Sequence, residues 1–142
     1  MRALLDVNVL IALFDADHAL HGPALAWFGD NGKAGWASCP VTQNGCIRVM
    51  SQPGYPNPIP VDAVASRLRE AGASRHHEFW PDAVSLLDGD AIDTARIHGP
   101  RQLTDVYLLA LAVSRGGRLI TFDRSLPLEA VRKAQKKHLV VI

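Results

Sequence analysis

The stretch that decides the fold is MRALLDVNVLIALF, residues Met1 to Phe14. A short apolar run, Ala3-Leu4-Leu5, ends on Asp6; Asn8 follows two residues later, and apolar residues resume at once. This is the pattern of a buried strand that delivers a carboxylate to its C-terminal tip and turns directly into a helix over Val7–Phe14, with Asp6 or Asn8 at the helix start. Unbroken apolarity, rather than alternation, places such a strand centrally in a parallel sheet. The arrangement recurs near the other end, where RLITF (Arg118 to Phe122) runs into Asp123. Between the two, Thr104-Asp105 opens a long apolar helical stretch. Three aspartates far apart in sequence, each at the end of an apolar element, point to one acidic site.

Working outward, Pro23–Phe28 reads as a helix with Pro in its first turn, and Trp36-Ala37-Ser38 as a short strand. A helix opens at Pro40-Val41-Thr42 and continues through TQNGCIRVMS. QPGYPNPIP (Gln52 to Pro60), with four prolines in nine residues, is a loop. Val61–Ala71 is a helix stopped by Gly72, and Val84–Leu87 is a second apolar strand closed by Asp88-Gly89-Asp90. Ala91–His98 is a short helix ended by Gly99-Pro100. Thr104–Ser114 is the clearest helix, with Thr104 as N-cap, Asp105 in the first turn and Gly116 at the stop. A strand over Leu119–Phe122, a helix over Leu126–Lys136 and a strand over Leu139–Ile142 complete the chain. Strands alternating with helices predict an α/β fold: one domain over residues 1–142, with a central, mostly parallel sheet and helices on both faces. Ligands in such sheets bind at the carboxyl ends of the strands. That geometry brings Asp6, Asp123 and the first turn of the Thr104 helix together.

The bulk composition is that of an ordinary globular protein, 48% hydrophobic and 20% charged with a net charge of +1, and long enough for a proper core. The balance hides an asymmetry. After Thr94, nine basic residues face only Asp105, Asp123 and Glu129, which is either a phosphate-facing surface or a solvated one. Cys39 and Cys46 have no CxxC spacing and read as reduced thiols. The opening resembles a signal peptide only superficially, because Asp6 and Asn8 interrupt it and no small-residue cleavage site follows. No stretch approaches the roughly 20 uninterrupted apolar residues of a membrane span. The expectation is a soluble, cytoplasmic protein that makes no use of a membrane.

Three carboxylates in a small space repel, and each raises the pKa of its neighbours unless something offsets the charge. A hard divalent cation, Mg²⁺ or Mn²⁺, provides the offset, taking one or two carboxylates and keeping waters for a substrate phosphate. Such a cation makes water more acidic and stabilises a leaving oxygen. Taken singly, each aspartate is equally a turn former or a helix cap. Asn8 is a helix-start residue or holds a metal-bound water. Thr121 shares a strand face with Asp123 and either bonds a ligand or serves as a β-former. The histidines lack HxxxH spacing, which argues against zinc. Trp80 and Tyr107 either stack on bases, pack in the core or lie on a surface that meets a partner chain.

The stretches LLDVNVLIALF, TQNGCIRVMS, LTDVYLLALA and ITFDRSL, in this order and at these separations, resemble the PIN-domain ribonucleases, specifically the VapC toxins of bacterial toxin–antitoxin pairs. FWPDAVSLLD is similar to one mycobacterial-type branch. The resemblance covers essentially the whole chain. It implies a PIN-like fold and Mg²⁺- or Mn²⁺-dependent endonucleolytic cleavage of RNA, often tRNA or ribosomal RNA. It also implies a homodimer silenced by a cognate VapB-type antitoxin. By position it assigns Asp6, Asp105 and Asp123 as metal-binding catalytic carboxylates. Members usually carry a fourth acidic residue, a Glu, where this chain has Gln43. An amide oxygen can ligate a cation but adds no charge, so the resemblance here implies one metal ion, or a second recruited only with RNA. Arg48 and Arg124 are candidates to hold RNA phosphates, or else surface ion-pair partners. A competing reading is an RNA- or partner-binding module with a weakened metal site. An aspartyl-nucleophile phosphatase would want a second Asp where Asn8 stands, and no G-x-G-x-x-G follows the first strand.

Overall fold

The computed structural model describes residues 1–142. Strand β1 (Ala3–Leu5) lies at the centre of a five-stranded sheet with β2 (Trp36–Ser38), β3 (His77–Phe79), β4 (Arg118–Thr121) and β5 (Leu139–Val141), in the order β3-β2-β1-β4-β5. Every pairing is parallel. The expected α/β architecture is present, with a wholly parallel sheet.

Side-chain alternation along the strands divides the core in two. Leu4, Ala37 and Leu119 face helix α5 (Leu103–Ser114), whose Val106, Leu108, Leu109 and Leu111 are fully buried. Ala3, Leu5, Trp36 and Ile120 face the opposite layer. That layer is built from α1 (Val7–Phe14), α2 (His21–Asn31), α3 (Pro40–Met50) and α4 (Val61–Gly72). A helix apolar nearly all round must be covered on all sides. Loop residues Val84, Leu86, Ala91, Ala130 and Val131 cover the outer side of α5.

Helices α1 and α3 approach closely because α3 carries Gly45 at the contact. A Cβ there would lie 2.7 Å from Val7 Cγ2. The contact also fixes which face of α3 looks toward the start of α1.

Three expected elements differ. Val84–Leu87 is not a strand; the third strand is His77–Phe79, an edge strand whose side chains are half-buried or exposed and whose sequence therefore carries no apolar run. Val84 and Leu86 reach the core from an irregular loop instead. Neither Ala91–His98 nor Leu126–Lys136 is a helix. The two segments meet through an antiparallel bridge between Ile92 and Val131. Hydrogen bonds run from Asp93 N–H to Ala130 C=O (2.8 Å) and from Arg132 N–H to Ala91 C=O (2.9 Å). Only single 3₁₀ turns remain, at Thr94–Arg96 and Leu128–Ala130. Both cysteines are free and buried.

Candidate active site

β1 and β4 are neighbours, with Leu5 opposite Ile120, so the residues that follow each strand emerge side by side. Asp6 is 4% exposed and caps α1: one carboxylate oxygen, Oδ1, accepts the Val7 N–H at 2.6 Å. Its other oxygen, Oδ2, accepts from the Thr121 hydroxyl at 2.9 Å. The same Thr121 Oγ1 accepts the backbone N–H of Asp123 at 3.0 Å. One fully buried threonine thus ties two of the three carboxylates together. Its position follows from strand alternation, which points residue 121 to one side while the chain turns at 122–123. Asp123 is fixed further by Ser125, whose N–H and hydroxyl both donate to its Oδ1 at 2.8 and 2.7 Å.

Asp105 arrives from the opposite layer. α5 begins one residue earlier than expected, at Leu103, so Thr104 is not its N-cap; Gln102 holds that place without a side-chain bond. Asp105 keeps its place in the first turn. Burial, the Asp6 charge and a proton shared with Asp123 push its pKa up to about 7. The helix N-terminus favours the ionised form, and burial with two like neighbours outweighs it. Asp6 is likewise raised, by burial first and by the Asp123 charge last, against the bonds from Thr121 and Val7. Asp123 is lowered, chiefly by Ser125. The site is therefore an oxygen-only donor set short of positive charge, which suits a hard divalent cation. No three ligating side chains close tightly enough to cage an ion by themselves. A cation here would draw the rest of its shell from water and substrate.

Gln43 is not brought to this cluster. Its amide donates to Ser38 Oγ at 3.0 Å, and it lines a hollow between α3 and α4 with Leu68, Gly72 and His77. The reason is rotational. Gly45 faces α1, and a residue two positions earlier lies about 200° around the helix. Asn44 and Arg48 take the facing side. They line a cavity of about 300 Å³ with Asp82 and with Val7 and Thr104, the sequence neighbours of Asp6 and Asp105. Asn8 stands exposed in the first turn of α1. Arg124 is exposed beside Asp123, and neither it nor Arg48 forms an ion pair. Trp80 is only 2% exposed and packs in the core, which removes it as a stacking platform. The largest cavity, about 560 Å³, lies along the C-terminal half of α5 and touches none of the three carboxylates.

Sequence reasoning missed Ser125, Asn44 and Asp82. Ser125 was findable, since an Asp two residues before a Ser is a turn in which the carboxylate caps the following N–H. Asn44 and Asp82 carry no local signal; helix rotation and loop packing place them.

Residues 3–133 match the family profile described as "PIN domain". The chain belongs to the PIN-domain family. Among PIN-domain relatives it is 54% identical to ribonuclease VapC44 of Mycobacterium tuberculosis over 142 residues, all of both chains. It is 42% identical to ribonuclease VapC39 of the same organism over 127 residues, covering 89% of this chain and 91% of that one. These similarities place it in the VapC branch. Two solved structures share the PIN fold at low identity. One is M. tuberculosis VapC20, a sarcin–ricin-loop-cleaving toxin (TM-score 0.63, 12% identity, 87% and 92% of the two chains). The other is VapBC2 of Rickettsia felis bound to a promoter DNA fragment (TM-score 0.57, 11% identity, 89% and 94%).

Proposed function

We propose that this PIN domain is the endoribonuclease toxin of a toxin–antitoxin pair, cleaving RNA at a Mg²⁺- or Mn²⁺-dependent site formed by Asp6, Asp105 and Asp123. The carrying observation is that Thr121 ties Asp6 to Asp123 at the carboxyl edge of the sheet, with Asp105 close enough to feel both, in a chain 54% identical to a protein named a ribonuclease.

Asp6, Asp105 and Asp123 would hold the cation. When bound, it supplies charge neutralisation at the scissile phosphate and a more acidic water. The chain's own groups do the rest. Thr121 sets the spacing of Asp6 and Asp123, and Ser125 fixes the Asp123 rotamer. Arg48 on one side and Arg124 on the other bracket the carboxylates and hold flanking phosphates. With Gln43 turned toward Ser38, no fourth ligand comes from α3, which favours a single resident ion. A VapB-type antitoxin and a homodimer complete the reading. Co-expression with whatever short reading frame adjoins the gene and light scattering on the purified chain check them.

The decisive experiment incubates purified protein with total RNA in Mg²⁺, Mn²⁺ or EDTA, beside the Asp6→Asn variant. Cleavage that needs metal and vanishes in Asp6→Asn is expected. Equal cleavage by Asp6→Asn removes the site. The absence of a fourth acid favours one rival, a binding module; RNA retained but uncut in Mn²⁺ would establish it.

A further inference from the structure

We infer that the hollow beside Asp82 is a nucleobase pocket that selects guanine in the RNA strand lying across the carboxylates; this rests on the RNA-cleaving reading above. A cavity of about 370 Å³ is walled by Val41, Val84, Leu86 and Leu103, with Asp82, Thr104 and Tyr107 as its polar residues. It shares Val41, Asp82 and Thr104 with the 300 Å³ cavity that reaches Val7, the residue after Asp6. The two adjoin, joining the surface at Val7 and Thr104, the sequence neighbours of Asp6 and Asp105, to an apolar slot at the small end of the range for ligand sites. Leu103, at 40% exposure, leaves apolar surface open there.

A base offers flat apolar faces and a hydrogen-bonding edge, so it needs such walls and a matched set of donors and acceptors. Two of the polar groups in the slot lie close to each other with no well-formed hydrogen bond between them. Asp82 is exposed and forms no ion pair. The Tyr107 hydroxyl is buried beside the Asp82 carboxylate and makes no well-formed hydrogen bond. Burial first, then the nearby Asp82 charge, push its pKa up to about 12, so the phenol remains a donor. One carboxylate beside one hydroxyl donor complements the guanine Watson–Crick edge: N1–H and the N2 amine give to the carboxylate, and O6 accepts from the phenol. Adenine and cytosine offer a single amino donor on that edge, and uracil a single ring N–H. The loop is anchored on both sides of Asp82. Trp80 is buried and its backbone N–H donates to Ser38 C=O at 2.9 Å, while Val84 and Leu86 pack against the core on the far side of Asp82. Arg48 and Asn44, in the adjoining cavity, take the sugar–phosphate side.

The test is fluorescence anisotropy with the full chain in an Asp6→Asn background with Mg²⁺, using labelled single-stranded hexamers that differ at one base. Guanosine should bind about tenfold tighter than inosine, which lacks only the 2-amino group, and tighter than adenosine, cytidine or uridine. Adding Asp82→Asn should erase the guanosine–inosine difference. Adding Tyr107→Phe should weaken guanosine severalfold, with the melting temperature showing that the fold is intact. Equal affinities, no binding, preference for another base, or a preference that survives Asp82→Asn each overturn the pocket. Cleavage of guanosine-free RNA by the wild type would separate the outcomes, since it leaves the nuclease standing while the pocket falls. Guanine-selective binding by a wild type that cuts no RNA keeps the pocket and removes the nuclease.

Discussion

Thr121 is the residue on which the acidic site depends most, although it ligates nothing. Its hydroxyl donates to Asp6 and accepts from the Asp123 backbone in a fully buried position. Thr121→Val keeps the shape and removes both bonds, leaving a buried carboxylate oxygen and an N–H unsatisfied. The expected cost is about 1–3 kcal/mol in chemical denaturation, with a fall in metal-dependent cleavage; Thr121→Ser should recover most of both. Thr121→Val protein that cuts RNA at wild-type rate would show that the spacing is set elsewhere. A pH dependence follows from Asp105. Its folded pKa, about 7, lies above its ordinary 3.8, so the metal-free native state keeps a proton that the unfolded chain releases. Stability from this group is fully present below about pH 4 and is lost as pH rises toward 7. In EDTA, Asp105→Asn should therefore gain on the wild type in melting temperature between pH 4 and 7. Mg²⁺ should close the gap by stabilising the ionised wild type.

At the scale of elements, the contact of Gly45 with Val7 decides what α3 presents to the site. Gly45→Ala places a methyl 2.7 Å from Val7 Cγ2, and overpacking of this kind costs about 1–3 kcal/mol, more than the helix-propensity gain of about 1 kcal/mol. Val7→Ala deletes the opposing methyls, so the double variant should recover stability lost in Gly45→Ala alone. Additive losses in urea denaturation would mean the two helices are not held by this contact. The same contact explains what the sequence does and does not reveal. Asp6 and Asp123 are legible because each closes an apolar run and Asp105 because it opens one, and a run's boundary is a local property. The direction of Gln43 is not, because it depends on a rotation of α3 set by a residue of another helix. Val84 and Leu86 look like a strand because they are apolar at alternate positions, yet alternation also suits a loop laid over α5. The true edge strand, His77-Glu78-Phe79, is hidden by its exposure. Likewise Leu126, Ala130 and Val131 have a helical spacing, and the bridge from Val131 to Ile92 takes the backbone bonds a helix would have used.

At the scale of the molecule, the basic C-terminal third must be divided before it is treated as an RNA surface. Asp93 accepts Arg96 at 3.3 Å and lies 3.9 Å from Arg132, so part of that charge is already answered. Arg48 and Arg124 have no acidic partner and come from different elements: Arg48, on α3, shares a cavity with Val7 and Thr104, and Arg124 follows Asp123 in the turn after β4. A strand crossing the site would meet a cation, the acidic cluster, then a second cation, and each phosphate neutralised releases counterions. Binding of single-stranded RNA should therefore weaken linearly in log K against log salt, losing about 0.7 of slope for each phosphate contact removed. Arg48→Ala and Arg124→Ala should each flatten the slope by about that amount, measured by anisotropy across a salt series in the uncut Asp6→Asn background. Arg132→Ala should change it less, since Asp93 already offsets that charge. If Arg132→Ala flattens the slope most and Arg124→Ala leaves it unchanged, the RNA runs over the far side of the basic third, and the carboxylate edge is not its path.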